Sequence, residues 1–244
     1  MEFNGAMKRV PLPLKTLKAV GALIGVTILL LAGGALFIWV SGGSAQPSAG
    51  ISAPGLQVSG SARLFHIDKA RSQVRFVITE TLLGQPKTVI GSTNEVAGDI
   101  AVDFDNPANS QIGTVRINVR TLQTDNEIRN RTLRGQILQA NRPEFEFATF
   151  VPRRIVGLPD SLVEGQPLTL QIVGDLTAHG ATRSVTFDAT VTPVNRNRIE
   201  GQARATVQYQ AFHITVPDAP GVANVAQNVV LEIDLVAVAA TSSR

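Results

Sequence analysis

Ser184-Val185-Thr186-Phe187-Asp188-Ala189-Thr190-Val191-Thr192 alternates without a break, with Val185, Phe187, Ala189 and Val191 on one side of an extended chain and polar residues on the other. A period of two marks a strand with one apolar and one solvated face. Working outward, Val115, Ile117 and Val119 alternate in the same way with Thr114, Arg116, Asn118 and Arg120. The pattern recurs at Val74, Phe76 and Ile78, at Phe145 and Phe147, at Leu168, Leu170 and Ile172, from Ile199 to Ala211 by twos, and at Val229, Leu231, Ile233 and Leu235. Turn chemistry separates these runs at Asp105-Asn106-Pro107, Leu158-Pro159-Asp160, His179-Gly180 and Asn195 to Asn197. The reading is all-β, with about eight longish antiparallel strands in a closed barrel or a two-sheet sandwich. Strands of about ten residues favour the barrel, because closure removes the long edges that would otherwise template aggregation.

One stretch breaks the period. Asp125 is placed to cap a helix running from Asn126 through Leu138, with Leu133 and Ile137 on one face and Arg129, Arg131 and Arg134 turned outward. One or two short helices therefore accompany the strands.

Nearer the N-terminus, residues 19–40 hold 22 consecutive residues without a charge. As a helix they would extend about 33 Å, which matches a bilayer core of about 30 Å. Lys8, Arg9, Lys15 and Lys18 precede the run against one acid, Glu2, and the first charge after it is Arg63. That asymmetry predicts a single transmembrane helix with residues 1–18 as a cytoplasmic basic flank and the rest of the chain extracytoplasmic. A cleaved secretory signal is the competing reading, with Gly43-Ser44-Ala45 as its site, and it exports the domain equally. Residues 41–62 are rich in Gly, Ser, Ala, Pro and Gln, which reads as a flexible linker, and residues 63–240 read as one domain.

The net charge of +3 lies wholly ahead of residue 41, since residues 41–244 hold 18 basic and 18 acidic side chains. A nucleic-acid partner is not expected, because phosphate binding needs surplus positive charge on the folded domain. No cysteine is present, so no disulfide or thiolate chemistry is available. His66, His179 and His213 have no metal-ligand spacing, and the acidic pairs Asp103 with Asp105 and Glu144 with Glu146 lack the pattern of a calcium loop. Without a Gly-x-Ser-x-Gly elbow or a phosphate-cradling loop, the chain reads as neither an enzyme nor a metalloprotein. Arg129, Arg131 and Arg134 suit an anionic head group or membrane surface, and equally an ion-paired face using Asp125 and Glu127. On strand pattern alone, the apolar faces either fill a core or line a cavity.

Several segments, taken in order, resemble the YceI-like proteins, a lipocalin-like group associated with binding polyisoprenoids and related lipids. They are Phe65-His66-Ile67-Asp68, Ser72-Gln73-Val74-Arg75-Phe76, Gly98-Asp99-Ile100, Thr124 to Leu133, Arg142-Pro143-Glu144-Phe145-Glu146-Phe147, Gly174 to Arg183, and Phe212-His213-Ile214. Together they cover nearly all of residues 64–238. The chain departs from the family pattern at Asn130 and Thr132, where Asp and His are usual, and at Ile137-Leu138, where aromatics are usual.

The resemblance implies a closed eight-stranded lipocalin-like barrel whose lumen takes a long-chain amphiphile. On that footing the expected lumen residues are Phe76, Ile78, Val115, Ile117, Phe145, Phe147, Phe187, Tyr209 and Phe212. Arg129, Arg131 and His179 are the expected head-group contacts. No cofactor is expected beyond a bound lipid, such as a polyprenyl chain or a quinone. The expected partners are the membrane and that lipid, with a homodimer left open. The alternative is a non-enzymatic β-sandwich interaction or adhesion module with a filled core.

Overall fold

The computed structural model describes residues 46–58 and 60–240. The expected membrane span, residues 19–40, and its basic flank lie outside them. Among the described residues no helix is long and apolar enough to cross a bilayer.

The alternating runs become strands. In chain order they are β1 (Arg63–Ile67), β2 (Gln73–Leu82), β3 (Gln85–Thr93), β4 (Val96–Ala97), β5 (Asp99–Val102), β6 (Gln111–Ile112) and β7 (Val115–Asn118). After helix α1 (Glu127–Thr132) come β8 (Phe147–Val156), β9 (Leu168–Ala178), β10 (Ala181–Asn195), β11 (Arg198–Gln208), β12 (Val222–Ala223) and β13 (Asn228–Ala239). All pairings are antiparallel and belong to one curled sheet. The described residues thus hold thirteen strands where eight were expected. The excess comes from short pairings such as β4, β6 and β12, whose two residues each are too few to show a period.

Most turns and excursions gather at two ends. The β2–β3 turn, the β9–β10 turn at His179 and Gly180, α1 and the β11–β13 connection lie at one, the helix end; the β8–β9 loop and the β10–β11 turn lie at the other. Phe150, Leu176, Ala181, Val185, Ala205 and Phe212 form a buried cluster toward the helix end. Phe65, Val102, Ile199 and Ala237 form a second toward the far end.

The helix is shorter than its sequence suggests. Asn126, not Asp125, caps it, its side chain accepting the Arg129 N–H at 3.0 Å. Asp125 is instead engaged by Lys87 at 2.7 Å and Arg129 at 2.6 Å. From Leu133 to Ile137 the chain continues as a π-helical turn around Gly135. Val119 leaves the β7 alternation for a 3-10 turn, and Tyr209 to Phe212 leave the β11 alternation for another.

Residues 46–58 and 60–62, composed like a tether, run along the outside of the sheet as a strap. Near the helix end the Ser48 N–H and hydroxyl donate to Glu146 at 2.7 and 2.8 Å, and Arg120 donates to the Gln46 carbonyl at 3.1 Å. Further along, Arg116 donates to the Ser52 carbonyl and the Leu56 N–H to Asp99. The strap ends where the Ser61 hydroxyl donates to Asp103 at 2.8 Å.

Asp103 is 1% exposed and organises the loop after β5. The backbone N–H of Asn106, the Asn109 amide, the Ser61 hydroxyl and the N–H of Asp105 hold its carboxyl down to about 2. Because the folded value lies below an unfolded one near 4, this stabilisation is complete above about pH 4 and disappears as pH falls toward 2. In urea melts, the stability gap between the native chain and Asp103→Asn should therefore close as the pH is lowered from about 5 to about 2.

Candidate functional site

Strand register defines an inner face. One rung reads Thr93, Val74, Ile233, Ala203, Ala189 and Leu170 across six neighbouring strands. The next reads Gly91, Phe76, Leu231 and Ala205. Because side chains alternate along each strand, these residues share one side of the sheet, while Arg75, Asp188, Arg204 and Glu232 occupy the other.

The aromatic rings on this face lie against its wall. Phe76 covers Gly91 so closely that a Cβ there would stand 2.1 Å from the ring, and Phe150 covers Gly174 with a corresponding distance of 2.7 Å to the ring. Glycine creates the recess and the neighbouring aromatic fills it, which keeps the ring close to the sheet. Phe150 also meets Phe187 edge to face at 5.0 Å. Yet Val74, Phe76, Ile172, Leu231 and Ile233 are only half-buried, although each sits on the inner face with a strand on either side. A face filled by its own side chains would exclude solvent there.

At the helix end the inner face turns polar. Glu80 and Lys87 pair across β2 and β3, and Arg129 from α1 donates to Glu80 at 3.0 Å. With Asp125 bridging Lys87 and Arg129, four charges close into a chain of ion pairs that straps α1 to the β2–β3 hairpin. Lys87 and Arg129 hold the Asp125 carboxyl below its ordinary range, Lys87 having the larger effect.

The expected lumen residues divide. Phe76, Ile78, Val115, Ile117 and Phe187 lie on the inner face, by pairing with Leu231, Val89, Phe150, Ala148 and Ile172 respectively. Phe212 is 3% exposed and belongs to the helix-end cluster. Tyr209 opens the same 3-10 turn and is half-buried.

Phe147 and Phe145 do not line this face. Phe147 has the parity of Thr149, opposite to Phe150, and lies on the outer side under the Arg116 guanidinium, 3.9 Å from its ring centroid. Phe145 sits in a 3-10 turn against His179, with ring centroids 4.6 Å apart. Phe150, Leu231 and Ile233 are, with Val74, Leu170 and Ile172, among the inner residues that the expected lumen omits. Leu231 and Ile233 stood in a recognised strand, whereas Phe150 was masked by Pro152 and the bulge that follows it.

Of the expected head-group contacts, Arg129 is committed to Glu80 and Asp125. Arg131 is half-buried on α1. His179 occupies a left-handed conformation with φ 48° ahead of Gly180. Its Nδ1 lies 3.3 Å from the Phe212 carbonyl, and its Nε2 is buried without a hydrogen-bond partner. A second concavity, on the outer wall, is lined by Arg75, Asp188, Gln202, Arg204, Glu232 and Asp234. Its arginines are paired with Glu232 and Asp234.

Comparison with known proteins agrees with this geometry. The family model described as YceI-like domain matches residues 65–237. A UPF0312 protein of Vibrio vulnificus is 30% identical over 100 residues, which is 41% of this chain and 48% of that protein, so the chain spans about half the length of the relative it matches. Among solved structures, Burkholderia cenocepacia BcnA is similar with a TM-score of 0.54 at 22% identity, covering 72% of this chain and 99% of BcnA. A polyisoprenoid binding domain from Saccharophagus degradans implicated in plant cell wall breakdown has a TM-score of 0.55 at 13% identity, covering 72% of this chain and 98% of that domain.

Proposed function

Since the chain belongs to the YceI-like domain family, we propose that it is a non-enzymatic lipid-binding protein that holds a polyisoprenoid or isoprenoid-quinone-type amphiphile against its inner face. It acts as a carrier or sequestering factor, tethered by residues 19–40 to the cell membrane with the domain on the extracytoplasmic side. The observation that carries the lipid reading is the half-buried inner wall: apolar side chains on the inner side of the curled sheet that their own neighbours leave partly exposed. Burial there contributes about 0.8 kcal/mol per methylene, so a long tail binds without specific polar contacts.

A closed barrel suits this role, and the pairings support one. They run from β13 to β2 and β3, past Asn94 and Glu95 into β4, then through β7, β8, β9, β10 and β11 back to β13. Counting β3 and β4 as one bent strand makes eight. At the helix end, the orphaned Nε2 of His179 is a candidate partner for a polar head. Polyisoprenoid binding is also what describes the Saccharophagus degradans neighbour.

Native mass spectrometry of the full chain, purified from a membrane-containing host and released from detergent in the spectrometer, should show a bound lipid. Protein that is consistently empty, and that takes up neither long-chain quinones nor prenols, would point to the interaction-module alternative.

A further inference from the structure

The helix end carries two apolar side chains that the fold leaves largely in water. Leu83 is 80% exposed at the tip of the β2–β3 turn, and Ile128 is 62% exposed on the outer side of α1. The chain of ion pairs from Glu80 and Lys87 to Asp125 and Arg129 fixes α1 beside that hairpin, so the two residues project from one rim.

Leu83 is unfavourable twice over in the isolated protein. It precedes Gly84 in a two-residue turn with φ 49° and 80° at the two positions. A left-handed pair of this kind prefers Asn-Gly or Asp-Gly, and a leucine at its first position is strained. The Leu83 N–H donates to the Gly221 carbonyl at 2.7 Å, which pins the turn, and the side chain rests one edge on Gly221 while 80% of the residue stays exposed. A strained, exposed leucine gains stability only where its side chain leaves water.

The position of the strap says what covers this rim. Gln46 and Ser48 are held at the same end by Arg120 and Glu146, and Glu146 immediately precedes β8 at its helix-end terminus. Only five residues separate Gln46 from Val40, the last residue of the 22-residue uncharged run. Even fully extended, that interval reaches roughly 20 Å. If that run crosses a bilayer, chain length alone limits Gln46 to roughly 20 Å from its end, while the strap leads from Gln46 toward the far end.

We propose that this rim, with Leu83 and Ile128 as its apolar contacts, docks on the lipid bilayer and turns the helix end of the inner face toward it. The occupant is the boundary between head groups and acyl chains, where an apolar face is buried by insertion. Residues 41–244 carry balanced charge, so the contact is apolar in character and does not require anionic lipid. The inference rests on the membrane tether of the proposed function but not on the bound lipid.

The absence of cysteine makes the test clean. Spin labels are attached through Leu83→Cys, Ile128→Cys and, at the far end, Val163→Cys, each in the full chain reconstituted into phosphatidylcholine vesicles. Lipid-soluble oxygen should relax the labels at positions 83 and 128 at least threefold more effectively, relative to a water-soluble nickel chelate, than the label at position 163. Equal access of the chelate to all three labels would overturn the proposal, as would chain that fails to float with the vesicles. Labels at 83 and 128 that are immobilised and shielded from both agents would also overturn it, by showing that protein covers the rim. Ligand occupancy, measured on the same samples by mass spectrometry, separates failure of docking from failure of the lipid-carrier reading.

Discussion

Glu146→Ala is expected to lower the stability of the fold by about 3–5 kcal/mol, the range for removing one partner of a buried ion pair. Glu146 is 3% exposed and receives Arg120 at 2.9 Å, the Asn118 amide at 2.9 Å, and the N–H and hydroxyl of Ser48. Without it, Arg120 keeps the carbonyls of Ala140, Asn141 and Gln46 but no compensating charge. The lower end of the range is therefore the better expectation. Burial raises the Glu146 pKa, but Ser48, Asn118 and Arg120 together bring it below the ordinary glutamate range. The carboxylate thus stabilises the fold above its unfolded pKa near 4.3, and that stabilisation is lost as pH falls through the lowered folded value. Equilibrium urea melts should show the largest gap between native chain and variant near neutral pH and a shrinking gap in acid. A gap that is unchanged in acid would mean that Glu146 acts through packing instead of charge.

The second large effect is expected at Gly91→Val. The new side chain cannot coexist with the Phe76 ring, which a Cβ at that position would approach to 2.1 Å, so the ring must leave the wall. If the space in front of the wall is unfilled, the ring swings into it and the fold loses only about 1–3 kcal/mol, the usual cost of overpacking. The displaced ring then occupies the volume of roughly four methylenes, worth about 3 kcal/mol of tail burial, or on the order of 100-fold in lipid affinity. Titration with a long-chain quinone, together with a thermal melt, reads both quantities. Wild-type affinity in a well-folded variant would show that the ligand does not use this part of the inner face.

The sequence makes the long strands legible because their inner residues are aliphatic and their outer ones polar, as in β10 and in β13 from Leu231 to Leu235. It hides β3, whose inner positions are Lys87, Val89, Gly91 and Thr93. One of these is a glycine whose recess is filled by an aromatic from the next strand, and another is a lysine satisfied by Asp125 on a distant segment. Neither replacement leaves an apolar period.

The outward face of Phe147 is hidden for a related reason. Two phenylalanines two residues apart suggest one strand face, but Phe145 belongs to the preceding turn and Phe147 shelters under Arg116. The inward ring is Phe150, obscured by Pro152 and the following bulge. Asp125 and Asn126 are both good caps, and the ion pairs of Asp125 with Lys87 and Arg129 leave Asn126 free to serve. Residues 46–58 and 60–62 show the limit of composition most plainly. Their attachment uses backbone groups and serine hydroxyls, which look the same in a bound strap and a loose tether.

The strap also governs how the domain bears mechanical load. Its contacts at Gln46, Ser48, Ser52, Leu56 and Ser61 are spread along the wall instead of being stacked at one point. Tension applied ahead of Gln46 and directed out of the helix end runs parallel to the strap, so those hydrogen bonds are sheared together. Tension directed sideways peels them off singly, starting at Gln46. Resistance to pulling therefore depends on direction, and is greatest along the line on which a membrane attachment would draw.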